Sequence, residues 1–312
     1  MVNLTAPAHP AFRAFATTVV SNTQLSPSFR RLVFTGPLLH HFADSGLDQR
    51  VKLIVPSQAG QRLADLGQHD LHATGPFEWR DRWRSLPDPS ALAIRTYTVG
   101  EIDRENRLLT IDFVVHPGGS GPGSDFARTA TPTREAIIAG PDARSDELPM
   151  GIDYKPGTAQ EVVLVADETA LPAVRSILRQ TPAGNVRLRA FVELASIADA
   201  IDLRAHGHEL NLVLRGKKRG ENLIRAVNNW CQANPNALRL GEQQELTEVD
   251  VDRELLWETA TDTGGGFYAW LAGEAGMIRD LRRILVKEKG VDRRKVSFMG
   301  YWREGQTLSL GG

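Results

Sequence analysis

The spacing of apolar residues changes character part-way along the chain, and that change limits the fold more than any single motif. Over residues 11–144 the apolar residues come in short runs separated by Gly, Pro, Asp and Ser. Residues 14–20, 30–35, 51–55 and 108–115 are rich in β-branched, aromatic and other apolar side chains, as strands are. Many short strands with turn signals between them predict a barrel or a sandwich. From residue 160 onward, strand and helix alternate. Residues 161–166 are almost wholly apolar, and 167–180 read as a helix start and helix. Strands follow at 186–193, 209–214 and 266–271; segment 196–203 separates the first two, and helices follow at 221–232 and 274–289. Such alternation predicts parallel βαβ units with helices on the faces of the sheet. The break falls in 145–159, rich in Asp, Pro and Gly, which predicts one domain over 1–150 and a second over 151–312.

Composition narrows the class. The 312 residues are 41% hydrophobic and 24% charged, which argues against a largely disordered chain. A net charge of -1 gives no global footprint for nucleic acid, so no nucleic-acid partner is expected. No window approaches the ~18 apolar residues that span a bilayer, so no membrane partner is expected either. The one cysteine, Cys231, forbids an intramolecular disulfide and a four-thiolate metal site. It lies on a predicted helix and reads as a small buried hydrophobe. Residues 1–10 lack the order of a secretory signal, and the expectation is a cytoplasmic monomer. No metal site is expected. The adjacent His40 and His41 cannot both face one ion, and no His-Glu-x-x-His or Gly-x-Ser-x-Gly occurs.

Five segments carry candidate chemistry. Arg95-Thr96-Tyr97-Thr98 lies on a predicted strand, where alternation sends Arg95 and Tyr97 to one face. A guanidinium beside a phenol suits a phosphate and a flat ring, though the tetrapeptide alone reads equally as an exposed edge pair. Residues 116–124 hold four glycines and two serines and lead into a helical turn, a pattern that suits either a pyrophosphate or a flexible hairpin. No Walker lysine follows. Asp167-Glu168-Thr169 caps the helix after the apolar strand 161–166, at the carboxyl edge where parallel sheets bind ligands. The usual Gly-x-Gly-x-x-Gly is absent. Gly273-Glu274 forms a second strand-to-helix corner, and two such corners make a crevice. Tyr301-Trp302 ends a terminal strand, where one aromatic would cover a flat ring. Segment 56–92, with Trp79 and Trp83, has few strand signals and no assigned role.

In this order the segments resemble the siderophore-interacting proteins, flavin-dependent ferric-siderophore reductases of the ferredoxin–NADP reductase superfamily. The resemblance runs from residues 25–32 through 51–56, 95–98, 111–124 and 166–173 to 272–274 and 300–303. It implies an antiparallel six-stranded FAD-binding barrel followed by a nicotinamide-binding α/β domain with a parallel sheet flanked by helices. It implies that Arg95 pairs with flavin phosphate, Tyr97 stacks on the isoalloxazine and Thr98 lies near its N5 edge. Asp112, Val114 and His116 would line the ribityl and diphosphate region, with Gly121, Gly123 and Ser124 at the pyrophosphate. Asp167, Glu168 and Thr169 would sit between flavin and nicotinamide, Gly273 and Glu274 at the nicotinamide crevice, and Trp302 near the ring. Lys52 would meet an anionic ferric siderophore, with Arg294 and Lys295 as looser candidates. Three positions depart from the family pattern: Gly100 replaces an arginine, Phe126 a tryptophan and Pro117 a glycine.

The implied reaction passes a hydride from NADH or NADPH to FAD and then single electrons to Fe(III), which leaves the siderophore as Fe(II). No residue acts as nucleophile or base. Glu193, ending its strand, favours the ribose hydroxyls of NADH; Arg215, ending the next, favours the extra phosphate of NADPH. Alternatives are a siderophore-binding flavoprotein needing a separate electron donor, and a general flavin or ferric-chelate reductase.

Overall fold

The computed structural model describes residues 9–57, 63–66, 78–115, 121–146, 150–184, 186–238, 249, 251, 254–262 and 264–305. The chain divides into two compact units, Met1–Ile152 and Asp153–Gly312.

The first unit is a half-barrel. Its strands are β1 (Phe12–Gln24), β2 (Phe29–Thr35), β3 (Arg50–Pro56), β4 (Leu92–Thr98), β5 (Glu101–Asp103), β6 (Leu108–Val114) and β7 (Glu135–Pro141). They form one antiparallel sheet in the order β4-β3-β7-β1-β2-β6-β5. The expected count of six is therefore corrected to seven. The added strand, β5, is three residues long, too short for a period to show in sequence. Alternate residues of each strand face a core that includes Phe15, Leu32, Phe34, Leu53, Ile111 and Phe113. Segment 56–92 is more than a loop. It contains helix α1 (Glu78–Arg84), with Trp79 buried and Trp83 donating Nε1–H to the carbonyls of Pro89 at 2.9 Å and Leu92 at 3.2 Å.

Helix α2 (Pro122–Thr129) follows β6. Pro122 opens it at a position that needs no N–H, and Phe126 and Ala127 face the core. The Phe126 ring stacks on Phe34, with centroids 6.5 Å apart. At its other end, Asn22 Nδ2 of β1 donates to the Ala127 and Ala130 carbonyls at 2.9 and 2.8 Å, satisfying acceptors a helix end leaves open.

The second unit alternates as the sequence predicts. Its elements are β8 (Glu161–Ala166), α3 (Leu171–Gln180), β9 (Arg187–Leu194), β10 (Glu209–Leu214), α4 (Glu221–Ala233), α5 (Pro235–Leu238), β11 (Trp257–Glu258), β12 (Phe267–Glu274), α6 (Ala275–Arg282) and β13 (Val296–Trp302). The sheet order is β10-β9-β8-β12-β13-β11. Five strands are parallel, but β11 runs antiparallel to β13, so the expected parallel sheet is corrected to a mixed one. Two residues in a polar stretch give no readable period. Segment 196–203 forms only the short 3-10 turn Ile197–Asp199, and the expected long helix 274–289 is α6 followed by the π-helical turn Arg283–Glu288.

Strands β8 and β12 are central and almost wholly buried, which is why their apolar runs are unbroken. Helix α4 buries Leu223, Val227 and Cys231, one stripe at four-residue spacing. Burial pushes the Cys231 thiol up to about 11, so it is a core residue. Tyr268, the polar exception in β12, donates its hydroxyl to the Asp153 carbonyl at 3.1 Å and accepts the Lys155 N–H at 3.0 Å.

Candidate cofactor and substrate sites

The first unit brings Arg95, Tyr97 and the start of α2 together. Arg95 and Tyr97 lie opposite Leu53 and Val51 in the β3–β4 register, so both project from the core-facing side of the sheet. The Tyr97 ring packs on Phe113 with centroids 4.3 Å apart. Its hydroxyl comes so close to Gly123 that a Cβ there would collide with it; that Cβ would also lie 3.5 Å from Arg95 Cγ. Gly123 is what lets the ring reach the helix start. Burial pushes the Tyr97 phenol up, so it stays a neutral hydroxyl at physiological pH. The half-buried Arg95 guanidinium donates to the Ile94 carbonyl at 2.8 Å and has no carboxylate partner among the described residues. Burial lowers its pKa. Gly121 caps α2 with φ +155 and open space on its Cβ side. Its N–H is taken by Asp125 Oδ2 at 3.2 Å, and Ser124 is half-buried one turn inside. An uncompensated guanidinium, an aromatic ring and a glycine-lined helix start form a cradle that fits a phosphorylated cofactor with a flat ring.

Other expected residues lie elsewhere. Thr98 is buried on the opposite face from Tyr97, as strand alternation requires. Asp112 is buried and held by Arg31, its cross-strand neighbour, through a bidentate pair at 2.7 and 2.8 Å. Its carboxylate is thus spent on the barrel. Val114 is half-buried on the same face. His116 lies outside the described residues.

Lys52 shares the outer face with Thr96, to whose hydroxyl it donates at 2.7 Å. Burial and the nearby charges of Arg50 and Arg80 push its pKa down to about 8. Lys52 of β3 thus feels the charge of two further cations, Arg50 of the same strand and Arg80 of α1. Sequence reasoning found Lys52 but missed Arg50, which shares its face two residues earlier on β3, and Arg80, whose proximity depends on segment 56–92 folding back.

The second unit gathers Asp167, Glu168, Thr169, Glu193, Arg215, Gly273, Glu274 and Trp302 at the carboxyl ends of its strands. Asp167 is fully buried and holds three corners together. Its Oδ1 accepts the Thr169 N–H at 2.9 Å and hydroxyl at 2.5 Å; its Oδ2 accepts the Glu274 N–H at 2.8 Å and Trp302 Nε1–H at 2.9 Å. Burial and the neighbouring Glu168 raise it to about 6 against these bonds. Gly273 is needed at this corner, because a Cβ would lie 2.8 Å from Asp167 Cγ and from Met277 Cε. Glu274 caps α6 by accepting the Met277 N–H at 2.8 Å.

Buried Glu168 takes both Arg215 and Arg219, the latter at 2.8 Å. The Arg219 guanidinium also lies over the Trp302 ring, 4.7 Å from its centroid. Arg219 was not singled out from sequence; only the fold places it between Glu168 and Trp302. Glu193 is fully buried. Its two oxygens accept the Gly220 N–H at 3.1 and 3.0 Å, and Arg215 Nε lies at 3.5 Å. Neither Glu193 nor Arg215 is therefore turned outward in the way expected for reading a donor nucleotide.

Arg294 and Lys295 precede β13 and so sit at the opposite edge of this sheet. Arg294 is held by Asp292 at 2.7 Å, and Lys295 Nζ lies 4.0 Å from Asp262. A concavity of about 1080 Å³ at that edge, lined by Gln160, Arg187, His208 and Asn234 among others, contains none of the expected residues.

Comparison with known proteins follows the same division. The profile described as "Siderophore-interacting FAD-binding domain" matches residues 18–145, and "Siderophore-interacting protein" matches 159–305. The chain belongs to the siderophore-interacting protein family. The crystal structure of the siderophore-interacting protein SipS from Aeromonas hydrophila is 26% identical, with a TM-score of 0.64, covering 96% of this chain and 94% of that one. An uncharacterized protein of Mycobacterium tuberculosis is 29% identical over 94% of this chain and 91% of its own length. The ferric vibriobactin reductase ViuB of Vibrio cholerae is 24% identical over 92% of this chain and 88% of its own. No described helix is long and apolar enough to cross a membrane.

Proposed function

We propose that the protein is an NAD(P)H-dependent ferric-siderophore reductase that carries FAD in residues 1–150 and takes its electron donor in residues 151–312. The observation that carries this reading is the cradle of Arg95, Tyr97 and the Gly121–Ser124 helix start. FAD, when bound, supplies a two-electron acceptor for hydride and a one-electron donor for Fe(III). Arg95 neutralises phosphate charge, the Gly123 and Ser124 N–H groups take pyrophosphate oxygens, and Tyr97 offers its ring for stacking. Lys52, with Arg50 and Arg80 beside it, attracts the anionic ferric chelate. Asp167 keeps the corners of the second sheet in place, so that Glu274 and Trp302 keep fixed positions. No side chain serves as nucleophile or base. The ferric vibriobactin reductase among the relatives supports the same reaction class.

One observation favours a second reading. Glu168, Glu193, Arg215 and Arg219 are spent on one another, which suits a siderophore-binding flavoprotein fed by a separate donor. Anaerobic mixing separates the two. A reductase loses its flavin absorbance with NADH or NADPH and regains it with ferric siderophore; a protein needing a separate donor keeps its absorbance with both nucleotides.

A further inference from the structure

The charges at the carboxyl ends of β9 and β10 discriminate between the two donors; this inference rests on the reductase reading. NADPH differs from NADH only by a phosphate on the 2′-oxygen of the adenosine ribose. A site for NADH presents a carboxylate to the free hydroxyls, and a site for NADPH presents cations instead. Glu193 is the carboxylate at the end of β9. It is buried, and both its oxygens face the Gly220 N–H and Arg215. A ribose hydroxyl at this edge therefore meets no acceptor from Glu193.

The loop from β10 to α4 reads Arg215-Gly216-Lys217-Lys218-Arg219-Gly220. Its outer members, Arg215 and Arg219, are tied down by buried Glu168. Its inner members, Lys217 and Lys218, are exposed, and neither has an ion-pair partner among the described residues. The tied guanidiniums fix the two ends of the loop, and the Glu193 bond to Gly220 fixes its last residue. Two unpaired ammonium groups are thus held on a short, anchored span at the edge where a donor's adenosine end lies in such sheets. We propose that Lys217 and Lys218 receive the 2′-phosphate of NADPH, and that Glu193 is a positioning residue that anchors their loop. NADPH is then the preferred donor.

The test uses the FAD-loaded protein and two probes, adenosine 2′,5′-bisphosphate and 5′-AMP, titrated by calorimetry. The bisphosphate binds at least ~10-fold tighter than 5′-AMP, as charge-assisted contacts to a phosphate imply. The double variant Lys217→Ala/Lys218→Ala loses that advantage, keeps its 5′-AMP affinity and raises the KM for NADPH without raising that for NADH. Glu193→Ala lowers the same affinity ratio, whereas Glu193→Gln, which retains an acceptor for Gly220, restores it. Equal affinity for the two probes, no binding of either, an unchanged ratio in the double variant, or a preference for NADH each overturns the proposal. If neither NADH nor NADPH bleaches the flavin, the reductase reading fails, and the calorimetric ratio decides the loop assignment separately.

Discussion

Gly123 has no room for a methyl group, because the Tyr97 hydroxyl occupies the place of its Cβ. Gly123→Ala must therefore move the ring or the helix start, and FAD retention falls at least ~10-fold, the effect of misplacing charge-assisted phosphate contacts. Tyr97→Phe removes the colliding oxygen, so the double variant recovers part of the loss. Flavin content after gel filtration reads both. A double variant no better than Gly123→Ala would show that the contact is not what limits the site. Lys52 makes a pH prediction. Its ammonium is complete well below pH 8 and is lost as pH rises through about 8. The KM for an anionic ferric siderophore accordingly rises between pH 7 and 9, and Lys52→Ala is weaker throughout but flat over that range. The residue scale is also where sequence reasoning reached least far. Arg95 and Tyr97 were legible because strand alternation alone puts them on one face. Glu193 was not: its orientation depends on a backbone N–H 27 positions away. The ion pair of Asp112 was hidden for the same reason, since Arg31 is its partner only once β2 and β6 pair.

At the scale of elements, two end-on contacts hold the sites. Asn22 closes the carboxyl end of α2 from β1, and both carbonyls lose their partner in Asn22→Ala. The expected cost is about 1–3 kcal/mol of stability, measured by urea denaturation of the apoprotein. An unchanged midpoint would remove Asn22 from the account of how α2 is held. Asp167 joins β8, β12 and β13 in the second unit. Its pKa is raised from 3.8 in a flexible chain to about 6, so the folded state binds the extra proton between those values. The stability of this unit falls as pH rises from about 4 to about 6, by roughly 3 kcal/mol at most. Asp167→Asn abolishes that contribution to the slope; an identical slope in the variant would contradict it. The long elements were legible because β8 and β12 are unbroken apolar runs and α4 carries a clean four-residue stripe. Strands β5 and β11 were not, since two or three residues hold no period.

For the whole molecule, the change of rhythm near residue 150 proved the most informative sequence feature: an antiparallel half-barrel lies on one side of it and a largely parallel sheet on the other. In the proposed reading the division corresponds to two tasks, with the phosphorylated ring cofactor held by the first unit and the electron donor taken at the carboxyl edge of the second sheet. The proposed link between the tasks is electron flow, and a single cuvette tests it. The purified protein, loaded with FAD under anaerobic conditions, is titrated with NADPH and then with a ferric siderophore while the visible spectrum is recorded. Flavin bands that bleach with the nucleotide and return with the ferric chelate, as Fe(II) appears, are the predicted result. A protein that takes up no FAD, or whose reduced flavin is not reoxidised by the chelate, would contradict ferric-siderophore reduction.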